Sequence, residues 1–145
     1  MTRPFSVRPA GTGDVDAILE LWQLGGVSKG AGVDRAEIER KIEHGDDLFL
    51  VLFDGPDLAA SVMGTWDGHR GRIKRCVVDP ARQGQGLGRR IVGELEARFL
   101  ERGITELRLE VWADNAGGLA FWQEMGWELL HDIRYFQRSL GENRG

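Results

Sequence analysis

A single cysteine, one tyrosine and four prolines stand among 145 residues, and each shortage excludes something. One thiol cannot build an internal disulfide framework or a cysteine-based metal site, and no metal is expected. No apolar run reaches the roughly twenty residues that cross a bilayer as a helix. Met1-Thr2-Arg3-Pro4 opens no secretory leader pattern, so the expectation is a cytoplasmic protein with no membrane partner. Acidic residues outnumber basic ones, 23 against 19, for a formal charge of −4. Nucleic-acid binding, which favours a basic domain, is therefore not expected. Repeats, linkers and low-complexity stretches are also missing. The length suits one domain, 1–140, able to bury about two-thirds of its unfolded surface, with 141–145 as a frayed tail.

What is present is a strongly patterned chain. Phe5 to Pro9 alternates and reads as an edge strand, where a proline is tolerated. Thr12 caps a predicted helix carrying Val15, Ile18, Leu19 and Trp22, ended by Gly25-Gly26. The glycine-spaced loop from Gly25 to Gly32 reads either as the wall of an acceptor pocket or as a mobile connector. Asp34 caps a second, surface helix to about Glu43. Leu48 to Phe53 is a continuous apolar strand, covered on both faces. Turns at Asp54-Gly55-Pro56-Asp57 and Asp67-Gly68-His69-Arg70-Gly71 bound a second strand, Leu58 to Trp66, and Arg72 to Val78 is a third. A long helix follows, then a strand from Leu107 to Trp112, a short helix from Asn115 to Met125, and strands at Trp127–His131 and Ile133–Leu140. The fold class is α/β (α+β), with a mixed, mostly antiparallel sheet of about seven strands and four helices on its two faces.

The chemistry concentrates between Val77 and Arg90. An apolar strand ends at Asp79-Pro80, a turn-forming pair. Gly84, Gly86 and Gly88 then run directly into a helix whose Leu87, Ile91, Leu95 and Phe99 recur every four residues. Glycines let backbone approach a ligand closely, and the first N–H groups of a helix lack internal partners at the positive end of its dipole. That combination suits phosphate or pyrophosphate. Arg89 and Arg90 in the first turn oppose the dipole unless an anion is bound. A P-loop needs a Gly-Lys-Ser/Thr ending that is not here. A dinucleotide fingerprint needs a third glycine where Arg89 stands.

Gln83-Gly84-Gln85-Gly86-Leu87-Gly88 resembles instead the Gln/Arg-x-x-Gly-x-Gly/Ala loop of the GCN5-related N-acetyltransferase (GNAT) superfamily. The element order matches that fold over nearly the whole chain. Asn115-Ala116-Gly117-Gly118-Leu119-Ala120-Phe121-Trp122 through Gly126-Trp127 is similar to the family's Asn-x-x-Ala-x-x-Phe-Tyr-x-x-x-Gly-Phe segment. Asp67-Gly68-His69-Arg70-Gly71 resembles a segment of the small bacterial YpeA-like acetyltransferases. The resemblance implies that the cosubstrate is acetyl-coenzyme A, its pyrophosphate held by Gln83, Gly84, Gln85, Gly86, Leu87, Gly88 and Arg89. It implies that Asn115 meets the pantetheine arm, and that a backbone N–H at Val77 or Val78 receives the thioester carbonyl.

The same resemblance assigns catalysis less completely. Glu110 stands where ribosomal-protein N-acetyltransferases carry a glutamate and is the candidate base, with His69 and Asp67 behind it. Trp122 replaces the family's tyrosine, and an indole does not give up its proton at neutral pH. Tyr135, the one tyrosine, is the candidate substitute. The expected reaction is direct acetyl transfer to a primary amine of a small molecule or amino acid. A protein N-terminus is the alternative acceptor. A non-catalytic coenzyme A sensor is the alternative of another class, because of Trp122. Lys74 and Arg75 occupy strand positions where apolar residues are expected, and so reach a pocket mouth or a partner carboxylate, selecting an anionic acceptor. Cys76 reads as a small packing residue. Monomer and homodimer both remain open.

Overall fold

The computed structural model describes residues 5–140. The expected frayed tail and the opening four residues lie outside the described residues. The chain divides into two compact units, Met1–Glu110 and Val111–Gly145.

In the first unit the order is β1 (Phe5–Pro9), α1 (Val15–Leu24), α2 (Ala31–His44), β2 (Phe49–Asp54), β3 (Asp57–Trp66), β4 (Gly71–Val78), α3 (Leu87–Glu101) and β5 (Leu107–Arg108). Short 3₁₀ turns at Thr12–Asp14 and Pro80–Arg82 lead into α1 and α3. The sheet runs β1-β2-β3-β4-β5, antiparallel throughout except for the parallel pair β4–β5. Pro9 sits on the edge strand β1, where a missing N–H is tolerated.

Strand periodicity sorts the core into two layers. Phe49, Val51 and Met63 face α1, where they pack with Val15, Ile18, Leu19, Trp22 and, from α2, Ile38. On the other face α3 buries Leu87, Ile91, Leu95 and Phe99, the residues its four-residue spacing singled out. Phe99 lies so close to the sheet that a Cβ on Gly71 would stand 2.7 Å from its ring and one on Gly64 2.8 Å. Those two glycines let the largest side chain of α3 reach the sheet backbone.

A bulge interrupts the β3–β4 ladder. Gly64 pairs with Ile73 and Met63 with Lys74, yet Ser61 pairs with Val77, leaving one extra residue in β4. Side chains alternate with a period of two, so one inserted residue exchanges the faces. Gly71 meets α3, whereas Val77, six residues on, belongs to the α1 layer. Arg75 occupies the bulge with a φ of +54°.

The second unit holds α4 (Ala116–Glu124). Asn115 caps it, its side-chain oxygen accepting from the Gly118 N–H at 2.9 Å. Trp122 packs edge-on against Phe121 and Trp127, with centroids 5.0 and 5.2 Å apart.

Several boundaries differ from the sequence expectation. The sheet has five strands among the described residues rather than about seven, since Trp127–His131 and Ile133–Leu140 join no ladder. Alternation makes a segment able to be a strand, but only a hydrogen-bonded neighbour makes it one. β5 keeps two residues of the six expected, for the same reason. Asp34 is not the cap of α2. The helix starts at Ala31, and Asp34 lies in its first turn, fully buried. Thr12 is likewise no cap: it opens the 3₁₀ turn, and Asp14 takes the Gly11 N–H at 2.7 Å.

Candidate active site

The turn at Asp79-Pro80 is built as a fastening. Asp79 accepts from the Ala81 N–H at 3.0 Å, starting the 3₁₀ turn. Arg82, at its end, reaches Asp79 at 2.7 Å, Asp54 at 3.1 Å and Asp57 at 3.1 Å. The Asp54 hydrogen bond above all, then Asp79, holds the Arg82 guanidinium above its ordinary value. One side chain thus ties the entry of the glycine loop to the β2–β3 hairpin. This arginine was not a sequence candidate, although three aspartates at the ends of three strands were the available signal.

Beyond Arg82 the chain rises to the surface. Gln83, Gly84, Gln85 and Gly86 are exposed, while Leu87 and Gly88 turn inward at the start of α3. Gly84 and Gly86 adopt φ of +88° and +77°, a region that strains residues with a Cβ. A Cβ on either would meet nothing within 4 Å. The restriction is therefore conformational, and the space before the loop is open. No side chain caps α3 at Gly86, and its first turn contains no acidic residue. The first internal bond is Arg90 N to Gly86 O at 3.0 Å, so the preceding amides face outward. Arg89 and Arg90 are both exposed beside them. Outward amides at a helix N-terminus are an arrangement that attracts an anion.

β4 leads into this loop past the end of its pairing with β5. It shares two register pairs with β5, Gly71 with Leu107 and Arg72 with Arg108, and the ladder then stops. Asp79 N donates to Ala59 O on β3 at 2.8 Å. Successive N–H groups of a strand point in opposite directions, so the Val78 N–H faces the side that β5 has left. Val77 points its side chain into the α1 layer and is buried.

Glu110 lies in this first unit, half-exposed, with one oxygen 2.7 Å from Arg72 Nη1. In the turn before β4, Asp67 accepts the His69 and Arg70 N–H groups, each at 2.8 Å. The Arg70 N–H, then that of His69, hold the Asp67 carboxyl below its usual range. These bonds close the turn into β4. Asn115, Trp122 and Tyr135 belong to the second unit; Asn115 serves as a cap, and Tyr135 is exposed outside any strand.

Arg75 meets four partners, Glu37, Asp34, Val27 and Trp22. Its Nη2 lies 2.8 Å from Glu37 Oε1 and 3.5 Å from Asp34 Oδ1, and its Nη1 donates to Val27 O at 2.5 Å. The guanidinium carbon sits 4.3 Å above the Trp22 ring, within cation–π range. These contacts offset a left-handed backbone that costs a non-glycine residue about 1–2 kcal/mol. Lys74 reaches Glu37 at 3.4 Å. Burial pushes the Glu37 carboxyl up, but Arg75 and Lys74 together outweigh it and hold it below its usual range. Of the two readings of these cations, a partner carboxylate is what Arg75 has found, so it does not stand free to select an anionic acceptor. Burial pushes the Cys76 thiol up to about 12, which leaves it a packing residue with no thiolate near neutral pH.

Among the described residues no group of His, Cys, Asp and Glu side chains is arranged to hold a metal ion, and no helix is long and apolar enough to cross a membrane.

Comparison with known proteins agrees with this geometry. The acetyltransferase (GNAT) family model matches residues 16–127. An acetyltransferase of Pectobacterium atrosepticum is 30% identical over 127 residues, 88% of this chain and 90% of that protein. The PaiA N-acetyltransferase of Thermoplasma acidophilum, solved in complex with coenzyme A, superposes with a TM-score of 0.78 at 17% identity, over 88% of this chain and 91% of that one. The ribosomal-protein alanine N-acetyltransferase of Escherichia coli gives a TM-score of 0.72 at 22% identity, over 85% and 77%. At such identities the two solved structures speak for the fold alone. The family match and the curated relative go further, and this chain belongs to the GNAT family of acetyltransferases and is an N-acetyltransferase.

Proposed function

We propose that residues 1–140 act as one domain that moves the acetyl group of acetyl-coenzyme A directly to a primary amine of a small molecule or amino acid. The observation that carries this reading is the uncapped N-terminus of α3, preceded by Gly84 and Gly86 in left-handed conformations with open space before them. Backbone amides from Gly84 to Gly88 would hold the diphosphate, with Gln83 and Gln85 beside them and Arg89 supplying charge. Asn115 is assigned to the pantetheine arm, a role compatible with capping because its side-chain nitrogen is not used in the cap. Trp122 is assigned to the acyl end, as an apolar surface.

An amine is protonated near neutral pH and must lose a proton before it attacks. Glu110, directly or through one water, is the proposed base, oriented by Arg72. The amine nitrogen then bonds to the thioester carbon, and the developing oxyanion is met by the outward Val78 N–H, with Val77 fixing the strand. The C–S bond breaks as the intermediate collapses. The nitrogen sheds its second proton to water in the same collapse, and the sulfur leaves as a thiolate of ordinary pKa about 8.5, to which Tyr135 is proposed to give its phenolic proton, regained from solvent.

Acetylation of a protein N-terminus is the second reading, favoured by the position of Glu110 and by the fold shared with the ribosomal-protein enzyme. Family membership favours either reading over the coenzyme sensor that Trp122 admits. Release of free coenzyme A, followed with a polyamine, an aminoglycoside, single amino acids and an alanine-leading peptide, tests the proposal. Turnover with a small amine is expected. Turnover confined to the peptide selects the second reading, and binding of acetyl-coenzyme A with no release by any amine contradicts both.

A further inference from the structure

The bulge residue of β4 does more than turn a strand. The loop between α1 and α2 is tied at several points: Val27 N donates to Trp22 O, Ser28 Oγ to Asp34 Oδ2 at 2.6 Å, and Lys29 N to Asp34 Oδ1 at 3.1 Å. Arg75 joins this loop and α2 to β4 through Val27 O, Asp34 and Glu37 at once, beside the Lys74–Glu37 pair and the packing of Ile38 against the sheet. Arg75 stands two residues before Val77 and three before Val78, on the strand whose pairing with β5 ends at Arg72.

We propose that Arg75 is a positioning residue for acetyl transfer, latching the Gly25–Gly30 loop onto the β4 bulge so that the loop forms one fixed wall of the amine site. The proposal rests on the acetyl-transfer reading above and adds which residue orders the acceptor side. Arg75 touches neither substrate. It acts through the loop, and through the backbone turn that delivers Val77 to the α1 layer and the Val78 N–H to the side that β5 has left. Its charge is consumed by Glu37 and Asp34, so its contribution is geometric.

Two variants separate the parts of this device. Arg75→Gly adopts a left-handed backbone freely, and so keeps the bulge while removing the latch. Arg75→Lys keeps the charge but loses the fork that spans three acceptors. For both, the expected result is acetyl-coenzyme A affinity within about twofold of the unaltered chain. The KM for the best amine in the panel rises about tenfold or more in Arg75→Gly, a size typical of misplaced substrate, and less in Arg75→Lys. Hydrogen exchange of amides 26–30 accelerates in step, while that of α3 does not. A lowered melting temperature with unchanged amine KM would overturn the proposal, as would unchanged exchange in the loop. Failure of the unaltered chain to bind acetyl-coenzyme A would instead remove the acetyl-transfer reading, and this inference with it.

Discussion

Gly25, just past the end of α1, lies so close to Val77 that a Cβ built on it would stand 2.5 Å from Val77 Cγ1. The backbone of Gly25 is in an ordinary right-handed conformation, so space alone demands glycine there. Gly25→Ala is expected to destabilise the protein by about 1–3 kcal/mol through overpacking. Val77→Ala, which opens a small cavity, is expected to cost a similar amount alone. Together they should cost less than their sum, by about 1 kcal/mol. Urea unfolding of the four proteins in this cycle measures the coupling, and strict additivity would show that α1 and β4 do not meet as described.

Glu37 predicts an acid limb of stability. Its folded pKa is depressed by Arg75 and Lys74 in spite of burial, so the unfolded chain binds more protons as pH falls. The stabilisation is fully present above the unfolded value of about 4.3 and is lost as pH drops through the lower folded value. Asp14, held down chiefly by the Arg8 hydrogen bond, adds to the same limb. Glu37→Gln should therefore lose less stability than the unaltered chain between about pH 5 and pH 3. Equal losses would show that the Arg75–Glu37 pair contributes nothing.

Arg82 predicts a coupling between the hairpin and the glycine loop. Arg82→Met leaves the aspartates at three strand ends without their shared cation. The expected cost is about 1–3 kcal/mol in stability, together with weaker coenzyme binding because the loop entry is released. Measured thermal melting and coenzyme affinity should fall together. A stability loss with coenzyme affinity unchanged would separate the loop from its fastening.

Glu110→Gln and Tyr135→Phe test the proton transfers. Each is expected to lower kcat by about a hundredfold or less, the lower end of general acid–base contributions, with acetyl-coenzyme A affinity retained. An unchanged kcat in Tyr135→Phe would assign the leaving step to an unassisted thiolate.

Much of this was legible in the sequence, for physical reasons. The four-residue recurrence in α3, the unbroken apolar run of β2 and the glycines before Leu87 are local patterns, and each is found where its pattern puts it. The bulge was not legible. Lys74 and Arg75 show as misplaced cations, but their carboxylates lie 37 and 38 residues away in a helix whose own pattern is weak. Pairing over that distance leaves no mark in either segment. Trp127–His131 and Ile133–Leu140 failed in the opposite way, since both carry a strand pattern and neither enters a ladder. Alternation reports which face a strand would bury, and the partner is a property of the folded chain.

The account depends most on the amides before α3. Calorimetric titration of acetyl-coenzyme A into the full chain and into Gly86→Ala tests them directly. Saturable binding at one site is expected for the unaltered chain, and affinity about tenfold lower or worse for a folded Gly86→Ala, whose alanine resists the left-handed turn. No saturable binding by the unaltered chain, or equal affinity in the two, would contradict it.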